Sequence, residues 1–355
     1  MIQQDIQHFK KEFDHYFDSW LDHRIHFLKS KSPAMHQVVA DAKPLFVTQG
    51  KRIRAFLTYC AFHEAGGTSQ DAGYQLGVAI ELVHAFALVH DDIMDESASR
   101  RGYPTMHVSQ ESFHKEQKLR GDSSHYGLSS AILVGDLLLT YANEAIATLP
   151  LEHADVVATN RIFAQMQQEL AAGQYEDIWA TATLSERTEA DVMRIMSAKT
   201  GTYTVGYPIK IGATAGGWNP KQADQFDEFS ELLGQAFQIH DDILGGFGDE
   251  KVTGKSVSSD ITQGKPTLLL VYTLRHAKVQ ESVKLLSLIG KRSLSDKDVE
   301  YIRSVMVKSG AHAYAEQKEK QLVERALEAL GRIKISEKMR MQLQQLAQFL
   351  MHRVS

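Results

Sequence analysis

Residues 73–95 read "GYQLGVAIELVHAFALVHDDIMD", an apolar stretch that ends in a cluster of aspartates. Its large apolar residues recur mostly at steps of three and four, which is the spacing of one face of an α-helix. These residues are Leu76, Ile80, Val83, Phe86 and Leu88. The stretch therefore predicts a long, largely buried helix whose C-terminal end carries several carboxylates.

A second stretch repeats the same core. Residues 238–245 read "QIHDDILG" and share His-Asp-Asp-Ile with the first stretch, within an apolar helical pattern over 226–247. The segment 314–352 is rich in Glu, Lys, Gln, Ala and Leu, which favour helices. Only 7 prolines interrupt 355 residues, and no segment alternates convincingly at period two. We therefore predict an all-α fold.

Three stretches are predicted to be loops: 97–107, 108–126 and 248–266. The second is polar and is expected to be an exposed excursion. No Pro- or Ser-rich linker divides the chain, so we predict a single domain over residues 1–355.

Composition narrows the function. A net charge of -5 argues against a nucleic-acid partner, which usually requires a basic surplus. Cys60 is the only cysteine, so no intrachain disulfide can form, as suits a cytoplasmic protein, although a bacterial surface protein can also lack disulfides. The longest apolar runs, such as "AILVGDLLLTYA", look too short and interrupted to span a bilayer, so no stable membrane insertion is expected.

The first acidic cluster has a spacing that suits a divalent cation. Asp91 and Asp95 lie four residues apart and share a helix face, with Asp92 beside them and His84 almost two turns earlier. Hard carboxylate oxygens suit Mg²⁺, which takes further ligands from substrate phosphates. A single such cluster is more often a solvated acidic face, and a lone histidine is usually part of the core. Two clusters that follow apolar stretches favour the metal site.

Basic residues that could bind anions are scattered through the chain. They are Lys51, Arg52, Arg54, Arg100, Arg101, Lys199, Lys255 and Lys265. Acidic clusters that hold metal ions, combined with basic groups that hold phosphate oxygens, indicate a site for Mg²⁺-bridged diphosphates.

These motifs occur in a characteristic order over about residues 45–270: "GKRIR", "HAFALVHDDIMDE", "RRGYPTMH", "AILVGD", "GQYEDI", "KTGTY", "GQAFQIHDDILGGFGDE" and "GKPT". In this order they resemble the polyprenyl synthetase family, the trans-type isoprenyl diphosphate synthases. The resemblance implies an isoprenoid-synthase bundle around a central cavity, usually in a homodimer. It also implies Mg²⁺-dependent head-to-tail condensation of isopentenyl diphosphate with dimethylallyl, geranyl or farnesyl diphosphate.

The resemblance assigns roles to individual residues. Those implied for catalysis are Asp91, Asp92, Asp95, Lys199 and Asp241, with Asp91, Asp95 and Asp241 ligating what are expected to be three Mg²⁺ ions. Those implied for the allylic diphosphate are Arg100, Lys199, Gln238, Lys255 and Lys265. Those implied for isopentenyl diphosphate are Gly50, Lys51, Arg54, His84 and Arg101. Gly245 departs from the fuller acidic motif, and Asp249 is a candidate to compensate.

Product length depends on the helix before Asp91. Phe86 lies about 7.5 Å below Asp91 along the helix axis and is a candidate for the cavity floor, although periodicity alone fits core packing equally well. In the family a bulky residue at this position commonly limits the chain. Since Ala87 is small, we predict a geranylgeranyl (C20) product, then farnesyl (C15), then longer chains.

Two alternatives share part of this pattern. A class I terpene cyclase has similar metal chemistry but needs no isopentenyl site, so "GKRIR" and Arg101 count against it. A non-catalytic subunit of a prenyltransferase tends to lose the aspartates, whereas Asp91, Asp92 and Asp95 are all present here.

Overall fold

The computed structural model describes residues 2–47, 50–100, 102–248, 264–291 and 294–351, excluding the side chains of Lys199 and Thr200. The described residues are predominantly helical. Their strands form one short antiparallel pair, β1 (Ser99–Arg100) with β2 (Tyr103–Pro104). The predicted all-α class is therefore confirmed.

The chain divides into two compact units. The first comprises Met1–Phe163 and Pro208–Ala223, and the second Ala164–Tyr207 and Asp224–Ser355. The prediction of a single domain with a central cavity stays a prediction.

The first unit contains β1 and β2 together with the helices α1 (Ile2–Lys31), α2 (Pro33–Val47), α3 (Ile53–Glu64), α4 (Gln70–Met94), α5 (Met106–Glu116) and α6 (Ser123–Ala147). Two helices cross the division between the units, α7 (His153–Ala182) and α9 (Tyr207–Ala215), and the short α10 (Pro220–Ala223) returns to the first unit.

The second unit contains α8 (Glu189–Met196), a π-helical segment (Ser197–Gly206), α11 (Asp227–Phe247), α12 (Leu268–His276), α13 (Val279–Leu288), α14 (Asp296–Lys308), α15 (Ala311–Arg332) and α16 (Glu337–Met351). Short 3₁₀ turns cover Leu184–Glu186 and Asp224–Phe226.

Helix α4 forms the centre of the first unit. Ser69 caps its N-terminus by accepting from the backbone N–H of Ala72, and the helix is then buried almost continuously over 72–83. It packs against α6, α3 and α1. On the α1 side the contact is aromatic, with Phe9 and Phe13 of α1 lying against Tyr74. A helix enclosed on several sides has little freedom to shift, so it is a rigid platform for the aspartates at its end.

Helix α11 has the corresponding position in the second unit. Its buried residues include Phe229, Leu233 and Ile239, and it packs against α15 and the π-helical segment. The predicted helical pattern over 226–247 is thus confirmed to within one residue of the observed bounds.

The prediction of a loop over 108–126 needs correction. This stretch is largely exposed, as expected, but it contains most of α5 and the start of α6. Its buried stripe is polar as well as apolar (Met106, Gln110, His114 at four-residue steps), so apolar periodicity alone did not reveal it. The helical composition of 314–352 is confirmed, because its described residues form most of α15 and all of α16. Between them the helix ends at Arg332, and Ser336 caps α16 by accepting from the backbone N–H of Met339.

Among the described residues, the helices α4 and α6 are long and apolar enough to cross a membrane by length and composition alone. The expectation that the longest apolar runs are too short therefore fails for α6, which contains "AILVGDLLLTYA". The apolar window of α4 is 78% buried inside the protein and that of α6 only 44%, so α4 is a core helix and α6 has a substantial outer face.

Candidate active site

The first acidic cluster lies at the C-terminal end of α4. Asp91 and Asp92 are in its final turns, and Asp95 caps it, with its backbone N–H donating to the Asp91 carbonyl at 2.8 Å. The last turn of α4 contains no basic residue. Three carboxylates thus sit at the negative end of the helix dipole, an arrangement that cations stabilise.

One such cation comes from the β1–β2 hairpin. The Arg100 guanidinium lies 2.7 Å from Asp92 Oδ1 and 3.4 Å from Asp91 Oδ2. Its Nε also donates to both oxygens of Asp92, at 2.9 and 3.1 Å. Burial raises the pKa of Asp92 above its usual value, and the hydrogen bond and charge of Arg100 partly offset that rise. Arg100 therefore neutralises much of the charge of the most buried aspartate in the cluster.

The three aspartates differ in burial. Asp92 is buried against Arg100, whereas Asp91 and Asp95 are half-buried and lie four residues apart on an adjacent face of the helix. Within the part of the chain that the structure describes, no three His, Cys, Asp or Glu groups converge as a metal-holding cluster. The donor chemistry still fits Mg²⁺, since Asp91 and Asp95 supply hard oxygens one helical turn apart. The predicted metal roles of Asp91, Asp95 and Asp241 stay predictions.

The predicted chain-length residues lie on α4 next to α6. Phe86 contacts His90 edge-to-face with ring centroids 4.8 Å apart, and Phe86 and Ala87 are both half-buried. His90 Nε2 lies 3.1 Å from the carbonyl oxygen of Ile132 on α6. A Cβ at Gly135 would come within 2.2 Å of this imidazole, so the glycine of "AILVGD" makes room for His90.

Residues 50–54, which we name the anion segment, join α2 to α3. Gly50 has φ +110° and Arg52 φ +56°, so the backbone turns through the left-handed region twice. Lys51 is exposed and Arg54 half-buried. His84, the other described residue predicted for isopentenyl diphosphate, lies half-buried on α4 in the same unit.

Arg52 behaves differently from its neighbours. Its place in "GKRIR" predicts an anion-binding role, but Arg52 is only 3% exposed and its guanidinium is bound internally. It donates to Asp14 of α1 at 2.8 Å and to Glu81 of α4 at 2.6 Å. Glu81 could have indicated this pairing from the sequence, because a glutamate within an apolar helix requires a cationic partner when it is buried. Sequence reasoning passed over this buried pair.

The second acidic cluster lies towards the end of α11, whose last turn again contains no basic residue. The amide of Gln238 donates to the carboxylate of buried Asp242 at 2.8 Å, and Asp241 is half-buried. His240 pairs with Glu319 of α15 at 3.1 Å. The structure thus places Gln238, predicted for the allylic diphosphate, directly on the second aspartate pair.

The motif "KTGTY" belongs to the π-helical segment that packs on α11. Ideal Cβ atoms show how close the two backbones are, since one at Gly234 would lie 1.9 Å from the Cα of Gly201. Gln235 strengthens the contact by donating to Ser197 Oγ at 2.7 Å. The backbone of Lys199 is therefore held beside the helix that carries Asp241, although its side chain lies outside the described atoms.

The remaining predicted residues are divided between described and undescribed parts of the chain. Lys265 is half-buried just before α12, with its carbonyl accepting from the backbone N–H of Thr267 at 2.8 Å. Arg101, Lys255 and Asp249 lie outside the described residues.

Comparison with known families identifies this arrangement. The model of the family described as polyprenyl synthetase matches residues 36–306. The chain belongs to this family. The resemblance drawn from the ordered motifs is therefore confirmed, and the matched range includes both acidic clusters, the anion segment and "KTGTY".

Individual relatives agree with the family assignment. A geranylfarnesyl diphosphate synthase of Aeropyrum pernix is 35% identical over 288 residues, covering 80% of this chain and 84% of the relative. A geranylgeranyl diphosphate synthase of Sulfolobus acidocaldarius is 34% identical over 292 residues, covering 81% and 82%.

A solved structure extends the similarity to the fold. A geranylgeranyl pyrophosphate synthase of Corynebacterium glutamicum, complexed with isoprenyl diphosphate and magnesium, is 29% identical with a TM-score of 0.91. The similarity covers 97% of this chain and 98% of that one. The isoprenoid-synthase type of all-α fold is thereby confirmed.

Proposed function

We propose that this protein is a short-chain prenyltransferase that condenses isopentenyl diphosphate with an allylic diphosphate to give an all-trans prenyl diphosphate and diphosphate. The observation that carries the proposal is the pair of acidic helix ends. Both α4 and α11 carry an aspartate pair in their C-terminal part, after an apolar buried stretch, and neither has a basic residue in its last turn. Family membership supports the same reaction.

The reaction assigns distinct tasks to the two sets of residues. Lys51, Arg54 and His84 would hold isopentenyl diphosphate, with Gly50 allowing the backbone turn before them. The allylic diphosphate would be oriented by Arg100, Lys199, Gln238, Lys255 and Lys265. Arg101 would join the residues that hold isopentenyl diphosphate. Fixed cations and amides stabilise the charge that appears on the leaving diphosphate without having to reorganise during the reaction.

The bond changes balance within the two substrates. The allylic C1–O bond breaks, C1 bonds to C4 of isopentenyl diphosphate, and a proton leaves C2 for the released diphosphate. We propose that Asp91, Asp95 and Asp241 hold three Mg²⁺ ions, with Asp92 in support. When bound, Mg²⁺ acts as a Lewis acid on the diphosphate leaving group. Exclusion of water from the site would protect the allylic cation from being quenched.

The proposed product is geranylgeranyl diphosphate, with the farnesyl product second. Support comes from the single aromatic Phe86 beside small Ala87, and from relatives that bear the geranylgeranyl name at 33% and 34% identity. A longer product is the third candidate, because one relative is named a geranylfarnesyl diphosphate synthase. The synthase names of the relatives disfavour both the terpene cyclase and the non-catalytic subunit.

The proposed assembly is a cytoplasmic homodimer. Helix α6 supports the dimer, because two of its apolar side chains are exposed, Ile132 at 45% and Leu133 at 58%. Exposed apolar side chains are expected on a surface that a second copy covers. The single cysteine is consistent with a reducing compartment.

The test is a product assay. The protein is incubated with Mg²⁺, isopentenyl diphosphate and each of dimethylallyl, geranyl and farnesyl diphosphate, and the products are separated by chain length. A chain-extended product with every primer up to farnesyl, ending at C20, is the expected result. A cyclic hydrocarbon formed without isopentenyl diphosphate would establish the cyclase instead, and the absence of any product would favour the non-catalytic subunit.

A further inference from the structure

Arg52 lies in the middle of the anion segment, and its guanidinium is directed away from solvent. Nε donates to Asp14 Oδ1 at 2.8 Å, Nη1 to Glu81 Oε2 at 2.6 Å, and Nη2 to the carbonyls of Phe46, at 2.9 Å, and Val47. These bonds use four of the five N–H donors of the guanidinium. Burial alone would lower the pKa of Arg52, but the charges of Glu81 and Asp14 raise it above its usual value, so the side chain remains charged.

These contacts fix a backbone that needs support. Arg52 has φ +56°, a conformation that non-glycine residues keep only where their surroundings determine it. Its carbonyl accepts from the backbone N–H of Phe56 at 2.9 Å and so begins α3. The conformation of Arg52 therefore sets the directions of Lys51 before it and Arg54 after it.

The acidic partners connect this segment to two helices. Glu81 lies three residues before His84 on α4, and residues at this spacing are neighbours on a helix surface. The Arg52–Glu81 pair therefore ties the anion segment to the part of α4 that carries His84. Asp14 adds a second tie, to α1.

Helix α1 precedes the residues that match the family, which begin at 36. It nevertheless packs against Arg52, because the ring centroids of Phe13 and Phe17 lie 5.8 and 5.4 Å from the guanidinium carbon. A second aspartate of α1, Asp18, has a different partner. Asp18 pairs with Lys43 of α2 at 2.6 Å, so it joins α1 to α2 without contacting the anion segment.

We infer that Asp14, acting through Arg52, is a positioning residue for the isopentenyl diphosphate site, so that the N-terminal helix contributes to substrate affinity without contacting substrate. This inference rests on the proposed function. It differs from a general stabilising role, because it predicts an effect on one substrate only.

The test compares two alanine variants on the same helix, Asp14→Ala and Asp18→Ala. Alanine preserves α1, and each variant removes one carboxylate that forms an ion pair with a neighbouring element. Steady-state kinetics are measured for isopentenyl diphosphate and for the allylic primer, and melting temperatures are measured alongside. We expect Asp14→Ala to raise the KM for isopentenyl diphosphate roughly 5- to 10-fold, with little change for the primer. Asp18→Ala should leave both KM values within about twofold of wild type.

A second variant guards against loss of folding. Glu81→Gln keeps the shape and a hydrogen-bond acceptor but removes the charge, and it should raise the same KM in a chain that still melts cooperatively. Equal KM changes for both substrates, or a lowered melting temperature with an unchanged KM for isopentenyl diphosphate, would overturn the positioning role. If wild-type protein forms no condensation product, the proposed function fails instead, so the two failures are distinguishable.

Discussion

The two His-Asp-Asp segments have the same sequence but different structural support. In α4, His90 packs between Phe86 and the backbone of α6, and the buried Asp92 pairs with Arg100. In α11, His240 Nδ1 lies 3.1 Å from a carboxylate oxygen of Glu319, and the buried Asp242 accepts from the amide of Gln238. The repeated motif therefore preserves where the carboxylates lie on the helix, while each unit supplies its own means of holding them.

The largest expected effect tests whether the two clusters are equivalent. We expect Asp91→Ala and Asp241→Ala each to lower kcat by at least ~10³-fold, since a loss of about 4 kcal/mol in transition-state stabilisation has that effect. Single-turnover rates with saturating Mg²⁺ provide the measurement.

Asp71→Ala is the matched control, because Asp71 is an exposed carboxylate in the first turn of α4. It should retain nearly full activity. If the Asp91 variant loses activity and the Asp241 variant does not, the two aspartate clusters have unequal roles in the reaction.

A smaller effect should separate the two diphosphates. Arg54→Ala should raise the KM for isopentenyl diphosphate about tenfold, and Lys265→Ala should raise the KM for the allylic substrate by a similar factor, since losing one charge-assisted contact costs about 1.4 kcal/mol or more. Both KM values are measured for both variants. Parallel increases for the two substrates in either variant would show that the predicted division of basic residues is wrong.

The next prediction concerns product length and is specific to α4. Phe86→Ala removes the ring beside His90 and should lengthen the product by at least one five-carbon unit, because the cavity floor would lie lower along the helix. Ala87→Phe should shorten it towards C15. Chromatography of the dephosphorylated products distinguishes these outcomes, and an unchanged product in both variants would place the floor on another helix.

The smallest effect is expected at the support of α11. Glu319→Gln weakens the partly buried pair with His240 and should lower the free energy of unfolding by about 1 kcal/mol, or Tm by roughly 1–3 °C. Glu316→Gln, on the same helix, alters a more exposed pair with His312 at 3.6 Å and should have less effect. Thermal melts of both variants test this, and a larger shift for Glu316→Gln would contradict it.

The sequence predicted the two central helices well, because apolar residues spaced at 3.6 per turn define one buried helix face over the whole stretch before each aspartate pair. It failed at α5, whose buried stripe includes Gln110 and His114, since polar residues in a stripe hide its periodicity. It also missed the break between α15 and α16, which depends on the cap at Ser336 rather than on composition.

Among candidate site residues, the motifs identified side chains by chemistry but not by partner. Arg52, Arg54 and Lys51 look alike in "GKRIR", yet Arg52 is buried against Asp14 and Glu81. Such a distinction depends on residues distant in the chain, in this case 38 and 29 positions away, which local spacing does not reveal. The roles of Arg101, Lys255 and Asp249 stay predictions.

The aromatic contact between α1 and the rest of the first unit has a consequence for N-terminal truncation of this protein. The ring of Phe9 lies 5.6 Å from that of Phe56 and 5.2 Å from that of Tyr59, and Phe13 lies 6.3 Å from Tyr74. A chain shortened to begin at residue 36, where the family match begins, would lose α1 and expose this row of rings to water. Such a fragment would keep every motif of the family and would nevertheless tend to aggregate during expression.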